Sequence, residues 1–377
     1  MKKVVLIPDS FKGTMSSIEI CGIMEKAIWN VFPGAEIVKI PVADGGEGSV
    51  DCFLEALGGG KATVPVKGPF FEETEGFYGR LPDGTAVIEM AAAAGLSLAG
   101  DKKDPELATS YGVGELIAAA LSRGSRRIIL GLGGSATNDG GCGMAAALGV
   151  RFLNTAGESF IPTGGTMKDI ARIDADSLLS AARSADFVTM CDIDNPFFGK
   201  NGAAYVFGPQ KGADAEAVKR LDGGLMHLAE RIRLDLGKDV APLPGAGAAG
   251  GMGGGSVAFL NAKLTMGIET ILDVTHFDET VADADLVISG EGKIDAQSLR
   301  GKVVIGIAKR AKRAGVPLIA VVGDVGDGIG QAYGLGVTAV FSINRTAVPY
   351  REARLRSRAD LEATVDNLMR FLAAFGC

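Results

Sequence analysis

Residues 1–48 read MKKVVLIPDSFKGTMSSIEICGIMEKAIWNVFPGAEIVKIPVADGGEG, and this stretch decides the fold. Val4–Pro8 is a short apolar run that breaks at the polar turn Asp9–Gly13, the pattern of a buried strand followed by a loop. Ser16 and Glu19 then form an S-x-x-E capping pattern. Ile20, Met24, Ala27, Ile28 and Val31 recur at three- and four-residue spacing, which predicts a helix over about 17–31 with one apolar face. A second strand is expected over Glu36–Val42, ending in Ala43-Asp44-Gly45-Gly46-Glu47-Gly48. Strand, helix and strand with polar loops at the strands' carboxyl ends make the opening of a parallel α/β sheet, whose ligand sites gather at those ends.

The far end of the chain has the same texture. Asp285–Ser289, Pro317–Val322 and Thr338–Ser342 read as strands, with a helix over 302–314 stopped at Gly315. The last helix carries Leu361, Val365, Leu368, Leu372 and Phe375 on one expected face. Between the ends the pattern changes. Thr63–Val66, Glu75–Leu81 and Ala86–Ala91 alternate around the turn Pro82-Asp83-Gly84 and read as antiparallel hairpins. Val218, Leu221, Leu225, Leu228 and Ile232 mark an amphipathic helix ended by Gly237. The reading is α/β with two domains. A doubly wound, Rossmann-like parallel-sheet domain is built from both chain ends (1–62 plus 283–377), and a mixed α/β domain (63–282) is inserted. The unit 111–150 fits either half.

Composition narrows the function. Of 377 residues, 47% are hydrophobic and 22% charged, enough apolar material for large cores. A net charge of −7 argues against a nucleic-acid or anionic-membrane partner. No apolar run is long enough for a membrane span, and the apolar part of the start is too short for a signal peptide. Five widely spaced cysteines without a C-x-x-C pair point to reduced thiols and a cytoplasmic protein, not to disulfides or zinc. With only His227 and His276, histidine triads and multi-histidine metal sites are poor hypotheses. The 55 glycines cluster in short loops, where close backbone approach to a ligand is the usual reason for them.

Six expected strand ends carry small, polar, carboxylate-bearing loops, around Asp9, Asp44, Asp139, Asp192, Glu291 and Asp324. Each alone reads as a turn or cap; together they hold what phosphoryl transfer needs. Gly131–Gly141, with Gly133, Gly134, Ser135, Asn138 and Asp139, follows a strand and opens a helix, a place for an anion. It lacks the G-K-[ST] of a P-loop and carries no G-x-G-x-x-G. Its plainer reading is a turn capped by Asn138 or Asp139. Lys12, beside Asp9 and Ser10, is a cation for a phosphate or a substrate carboxylate, or else an exposed lysine. Asp44 and Glu47 are the candidate Mg²⁺ ligands. Asp192 and Asp194 alternate, so only one faces a given site. With no histidine available, Asp192 is the candidate to orient or deprotonate an attacking hydroxyl, with Asp44 and Glu291 as alternatives. The glycine run 245–255, including Gly250 and Gly251, must be approached closely by a phosphate, an adenine or another helix.

Six motifs together resemble the bacterial glycerate kinase family over essentially the whole chain: PDSFKGT (8–14), PVADGGEG (41–48), GLGGSATNDGG (131–141), VFGPQKGA (206–213), GAGAAGGMGGG (245–255) and SGEGKIDAQSLRGK (289–302). The last contains Glu291 and Asp295, expected on substrate or phosphate. Thr14, Lys293 and Asp194 depart from the family's commoner residues. The resemblance implies a two-domain α/β enzyme that uses ATP and Mg²⁺ to phosphorylate D-glycerate, at the 2-hydroxyl, with the 3-hydroxyl as the alternative. The competing enzyme reading is an NAD-dependent dehydrogenase of a small hydroxy acid, and a two-lobed binding protein is a third. The oligomeric state is open, with a homodimer among the options.

Overall fold

The computed structural model describes residues 1–43, 45–296, 298 and 303–376. The chain divides into two compact units. Unit 1 comprises Met1–Ala43, Glu55–Leu57 and Ile268–Cys377; unit 2 comprises Asp44–Leu54 and Gly58–Gly267.

In unit 1, five strands form one all-parallel sheet in the order Val337–Ser342, Leu318–Val322, Leu286–Gly290, Lys3–Pro8, Glu36–Lys39. Both faces are covered, so the central strands are apolar throughout instead of alternating. Val4, Leu6, Leu286, Ile288, Ile319 and Val321 pack against the helices Ser17–Trp29 and Tyr350–Ala374. The intervening residues, Val5, Ile7, Val287 and Val322, are equally buried, and the helix Val303–Ala314 contacts this sheet. Ser16 caps the first helix as expected, accepting the Glu19 N–H at 3.2 Å. In the last helix Leu361, Val365 and Leu368 are buried, whereas Phe375 is 72% exposed and lies against Phe371. The helix stops at Ala374, so Phe375 has left its apolar stripe, and Met369 completes the buried set. The chain runs from strand 3–8 to 36–39 on one side and returns at 286–290 on the other. The strand order therefore reverses at residues 3–8, the topological switch point where open parallel sheets bind ligands.

Unit 2 is built on a six-stranded sheet in the order Lys263–Thr265, Asp186–Met190, Arg127–Gly131, Ala86–Glu89, Glu73–Arg80, Gly60–Lys67. The first four strands are parallel and the last two add as antiparallel hairpins. Residues 111–150 belong here, contributing the helix Tyr111–Ser122 and the strand 127–131. The helix Ala215–Leu236 begins at Asp214, whose carboxylate accepts the N–H groups of Glu216 and Ala217, and ends at Gly237 in the left-handed region. Val218, Leu221, Leu225, Leu228 and Ile232 are its buried stripe.

The glycine run lies in the helix Ala248–Leu260, whose backbone is left-handed at Ala249–Gly251. Gly245–Gly250 spells G-x-G-x-x-G, but the element before it is the helix Ala215–Leu236, not a strand, so the dinucleotide fingerprint's context is missing. What approaches the run is the protein's own loop. A Cβ on Gly250 would lie 2.1 Å from the Thr137 carbonyl oxygen, and one on Gly255 2.2 Å from that of Gly140.

Candidate functional site

Each unit collects polar loops at the carboxyl edge of its parallel strands. In unit 2 these are Glu89 after strand 86–89, the loop 132–141 after strand 127–131, Asp192 after strand 186–190 and Gly267 after strand 263–265. The segment Gly45–Gly48 joins them by backbone contact. The Gly133 N–H donates to the Gly45 carbonyl at 2.9 Å, and a Cβ on Gly133 would stand 2.4 Å from the Gly46 Cα. Only glycines permit this approach.

Within the loop, Asp139 is fully buried and accepts four hydrogen bonds: Ser110 N–H and Oγ–H at 2.8 Å each, Gly141 N–H at 3.1 Å and Gly143 N–H at 3.2 Å. Burial pushes its carboxyl up, against the pull of those donors. The following helix is Cys142–Ala147, so its first N–H groups are already held by the chain's own carboxylate. An external anion at that helix end, the geometry expected from sequence, is therefore displaced: the open donors lie earlier in the loop. At the tip Gly133–Ser135, Gly134 is exposed with φ +73°, and among the described residues the N–H groups of Gly134 and Ser135 meet no protein acceptor. Just beyond it, the Thr137 hydroxyl and the Asn138 amide are fully buried and have no hydrogen-bond partner among the described residues.

Two residues that sequence reasoning passed over support this edge. Lys211, from the VFGPQKGA stretch, is 2% exposed, and its ammonium donates to Ser135 Oγ at 2.8 Å and to the Thr137 carbonyl at 2.6 Å. Burial pushes it down to about 7, against the field of Asp139. Glu89 is buried at its strand end and accepts the Val50 N–H at 2.7 Å, in the first turn of the helix Ser49–Leu57; burial pushes its carboxyl up. Neither has a periodicity signal. The sequence carried Lys211 only as part of the VFGPQKGA motif, with no role attached to it.

Asp192 is exposed, and its Oδ1 accepts the Gly267 N–H at 2.7 Å, which fixes the carboxylate. Asp194 is also exposed. The Cys191 thiol faces the carbonyls of Ile193 and Gly245 and burial pushes it up, so it is no nucleophile. Glu47 is exposed and accepts the Ser97 hydroxyl at 2.9 Å; a Cβ on Gly134 would lie 3.8 Å from its Oε1. Asp44 lies outside the described residues. Gly250 and Gly251 back the loop from behind, the Gly250 carbonyl accepting the Gly140 N–H at 3.0 Å.

In unit 1 the edge is formed by residues 9–15, 291–295 and 323–326. The Asp9 N–H donates to the Gly290 carbonyl at 2.8 Å, and the Asp9 carboxylate accepts the Ser10 N–H at 2.7 Å. Phe11 and Met15 exchange backbone bonds of 2.9 and 3.0 Å around a tight turn with Gly13 at φ +74°, leaving Lys12 exposed at its tip. A Cβ on Gly292 would lie 3.6 Å from the Phe11 Cα, so the two loops touch. Glu291 is buried beside them, its carbonyl accepting the Gly323 N–H, and half-buried Asp295 donates its N–H to Ser298 Oγ. Asp9, Ser10, Lys12 and Glu291 thus gather at the switch point of this sheet. Among the described residues no three His, Cys, Asp or Glu side chains form a metal cluster.

A model of the Glycerate kinase family matches residues 4–373. A Bacillus cereus protein named glycerate kinase is 46% identical over 368 residues, 97% of either chain. An Escherichia coli protein named glycerate 2-kinase is 44% identical over 343 residues, 90% of either chain. A crystal structure from Salmonella typhimurium LT2, assigned to glycerate kinase 2, superposes with a TM-score of 0.89 at 42% identity, covering 99% of this chain and 98% of its own. Family match and high identity over nearly the full length leave one conclusion: the chain belongs to the glycerate kinase family.

Proposed function

We propose that this enzyme transfers the γ-phosphoryl group of ATP to the 2-hydroxyl of D-glycerate, giving 2-phosphoglycerate and ADP. The observation that carries the reading is the 44% identity, over 90% of either chain, to the relative named glycerate 2-kinase. The site chemistry supports it. Phosphoryl transfer is mostly positioning and charge stabilisation. Unit 2 offers N–H groups at Gly134 and Ser135 that meet no acceptor among the described residues, with the fixed carboxylate of Asp192, and unit 1 by itself offers a cation at Lys12.

ATP enters as its magnesium complex. Mg²⁺ bound to nucleotide phosphates needs only one or two protein carboxylates, its other ligands being water and phosphate oxygens. Glu47 meets that requirement: an exposed carboxylate a few ångströms from the tip of the glycine loop. Asp192 we assign to orienting the attacking hydroxyl and accepting its proton, because the Gly267 N–H holds the carboxylate on a rigid strand end. A cytoplasmic setting accords with the free, buried thiols of Cys142 and Cys191. Among the described residues no helix is long and apolar enough to cross a membrane.

The test is ADP formation with MgATP and D-glycerate, followed by phosphorus NMR of the product. The expected result is D-glycerate-dependent ADP release, far weaker with L-glycerate, and a 2-phosphoglycerate signal. A 3-phosphoglycerate product overturns the regiochemistry, and no D-glycerate-dependent ADP release overturns the activity.

A further inference from the structure

A lysine buried to 2% exposure, with no carboxylate bonded to it, is an unusual thing for a fold to keep. Lys211 sits in the short helical turn Pro209–Lys211, and both of its hydrogen bonds go to one segment, the loop between strand 127–131 and the helix Cys142–Ala147. One bond takes the Ser135 side chain and the other the Thr137 carbonyl. The rest of that loop is held by backbone: Gly133 N–H on Gly45, the Gly134 carbonyl on Leu96 N–H, and Ala136 N–H on the Ala94 carbonyl. Gly250 packs against the same carbonyl, so closely that a Cβ there would lie 2.1 Å from the Thr137 oxygen. Every peptide from Gly133 to Thr137 is thus tethered at a carbonyl, an N–H or a side chain, while the N–H groups of Gly134 and Ser135 have no acceptor among the described residues.

We propose that Lys211 is a positioning residue: it holds Ser135 and Thr137 from beneath so that the tip Gly133–Ser135 presents its unused N–H groups to an oxyanion, either a phosphate of ATP or the carboxylate of glycerate. The ammonium is too deeply buried to touch a substrate, so it acts through the loop. The Ser135 N–H shares its peptide plane with the Gly134 carbonyl, which the Leu96 N–H holds, and a trans peptide points the two in opposite directions; Lys211 secures the Ser135 side chain and, at Thr137, the end of the same segment. The long, flexible stem of lysine suits the role, since three rotatable donors can meet a hydroxyl and a carbonyl that do not share a plane.

The inference rests on the glycerate kinase reading, and the experiment separates the two. Wild type, Lys211→Met and Ser135→Ala are compared for melting temperature and for kcat and KM toward MgATP and D-glycerate separately. Methionine keeps most of the volume, and replacing a buried charge by an apolar side chain is often neutral for stability. The expected result is a folded Lys211→Met whose KM for one of the two anionic substrates rises about tenfold or more, with kcat/KM for it down about a hundredfold. Which KM moves identifies the oxyanion. A purely structural lysine would lower the active fraction, hence apparent kcat, and leave both KM values in place; that outcome overturns the proposal. If Lys211→Met does not fold, Ser135→Ala decides, since it removes one tether and leaves the ammonium on Thr137. A shift of one KM by about threefold or more supports the role, and wild-type constants overturn it. A wild type that releases no ADP with D-glycerate fails the reading of the reaction itself, not the role of Lys211.

Discussion

Two lysines stand on the sheet edges of this enzyme, one in each unit, and they carry charge in opposite ways. Lys12 is at the exposed tip of a four-residue turn in unit 1; Lys211 is sealed under the glycine loop of unit 2. An exposed ammonium keeps its hydration and costs the fold little, so it can meet a ligand directly. A buried one loses hydration, sees its pKa fall and persists only where hydrogen bonds hold it. The contrast teaches that a lysine's charge can be offered outward by one unit and turned inward, onto the chain's own oxygens, by the other. Side chains of the first kind should change kinetics without touching stability; those of the second should couple the two.

The largest expected effect tests the assignment of the reacting group. Asp192→Asn keeps an oxygen for the Gly267 N–H and removes the charge. If the carboxylate takes the hydroxyl proton, kcat falls about a thousandfold, within the range of general-base contributions, while the melting temperature and the affinity for MgATP hardly change. A large loss of MgATP binding would move Asp192 to the metal, and unchanged turnover would leave it as a cap for Gly267.

Lys12→Ala comes next and sharpens the contrast from the exposed side. With the side chain in solvent, its loss should leave the melting temperature within a degree or two. If the ammonium neutralises phosphate or glycerate charge, kcat/KM falls about a hundredfold, roughly 2.7 kcal/mol of transition-state stabilisation. Lys12→Arg should recover only part of it, because a planar fork does not replace a point charge. Near-normal kinetics in Lys12→Ala would make it a solvent-exposed surface lysine.

The sequence shows these two lysines unequally, and so it does the fold around them. The parallel strands were legible because both-face burial writes them as plain apolar runs, Val4–Pro8 and Leu318–Val322 among them. The helix Ala215–Leu236 was legible from its stripe and its stop at Gly237. Lys12 was visible because an acid and a base share one short loop. Lys211 was not, since nothing local distinguishes a buried loop lysine from a solvated one; its burial is made by Ser135 and Thr137, more than seventy positions away. For Asp139 the sequence left two readings open, an anion site and a turn cap, and could not choose between them for the same reason. The expected anion site at the helix start depended on the helix N–H groups being open, and Asp139, with Ser110 from another helix end, fills them. The glycine run 245–255 announced close approach, yet only the fold reveals that the partner is the loop Thr137–Gly141.

The smallest effect expected is a pH dependence of stability that Lys211 should impose. Burial holds the Lys211 ammonium at about 7 in the folded chain, while an unfolded lysine titrates near 10.5. Between these values the folded state has released the proton and the unfolded state still binds it. Stability then rises with pH, by at most about 1.4 kcal/mol per pH unit for one proton. Below pH 7 both states are protonated and the slope from this group vanishes. Asp139, the charge that opposes the shift, contributes with the opposite sign: burial raises its carboxyl, so its own contribution declines as pH rises from the unfolded value through the folded one. Denaturant unfolding of wild type and Lys211→Met at pH 6, 7, 8 and 9 isolates the lysine. The difference between the two should stay level from pH 6 to 7 and then move in favour of wild type by about 2 kcal/mol by pH 9. Parallel curves for wild type and Lys211→Met would mean that the ammonium keeps its proton when buried. In that case Lys211 is a permanent cation beneath the glycine loop.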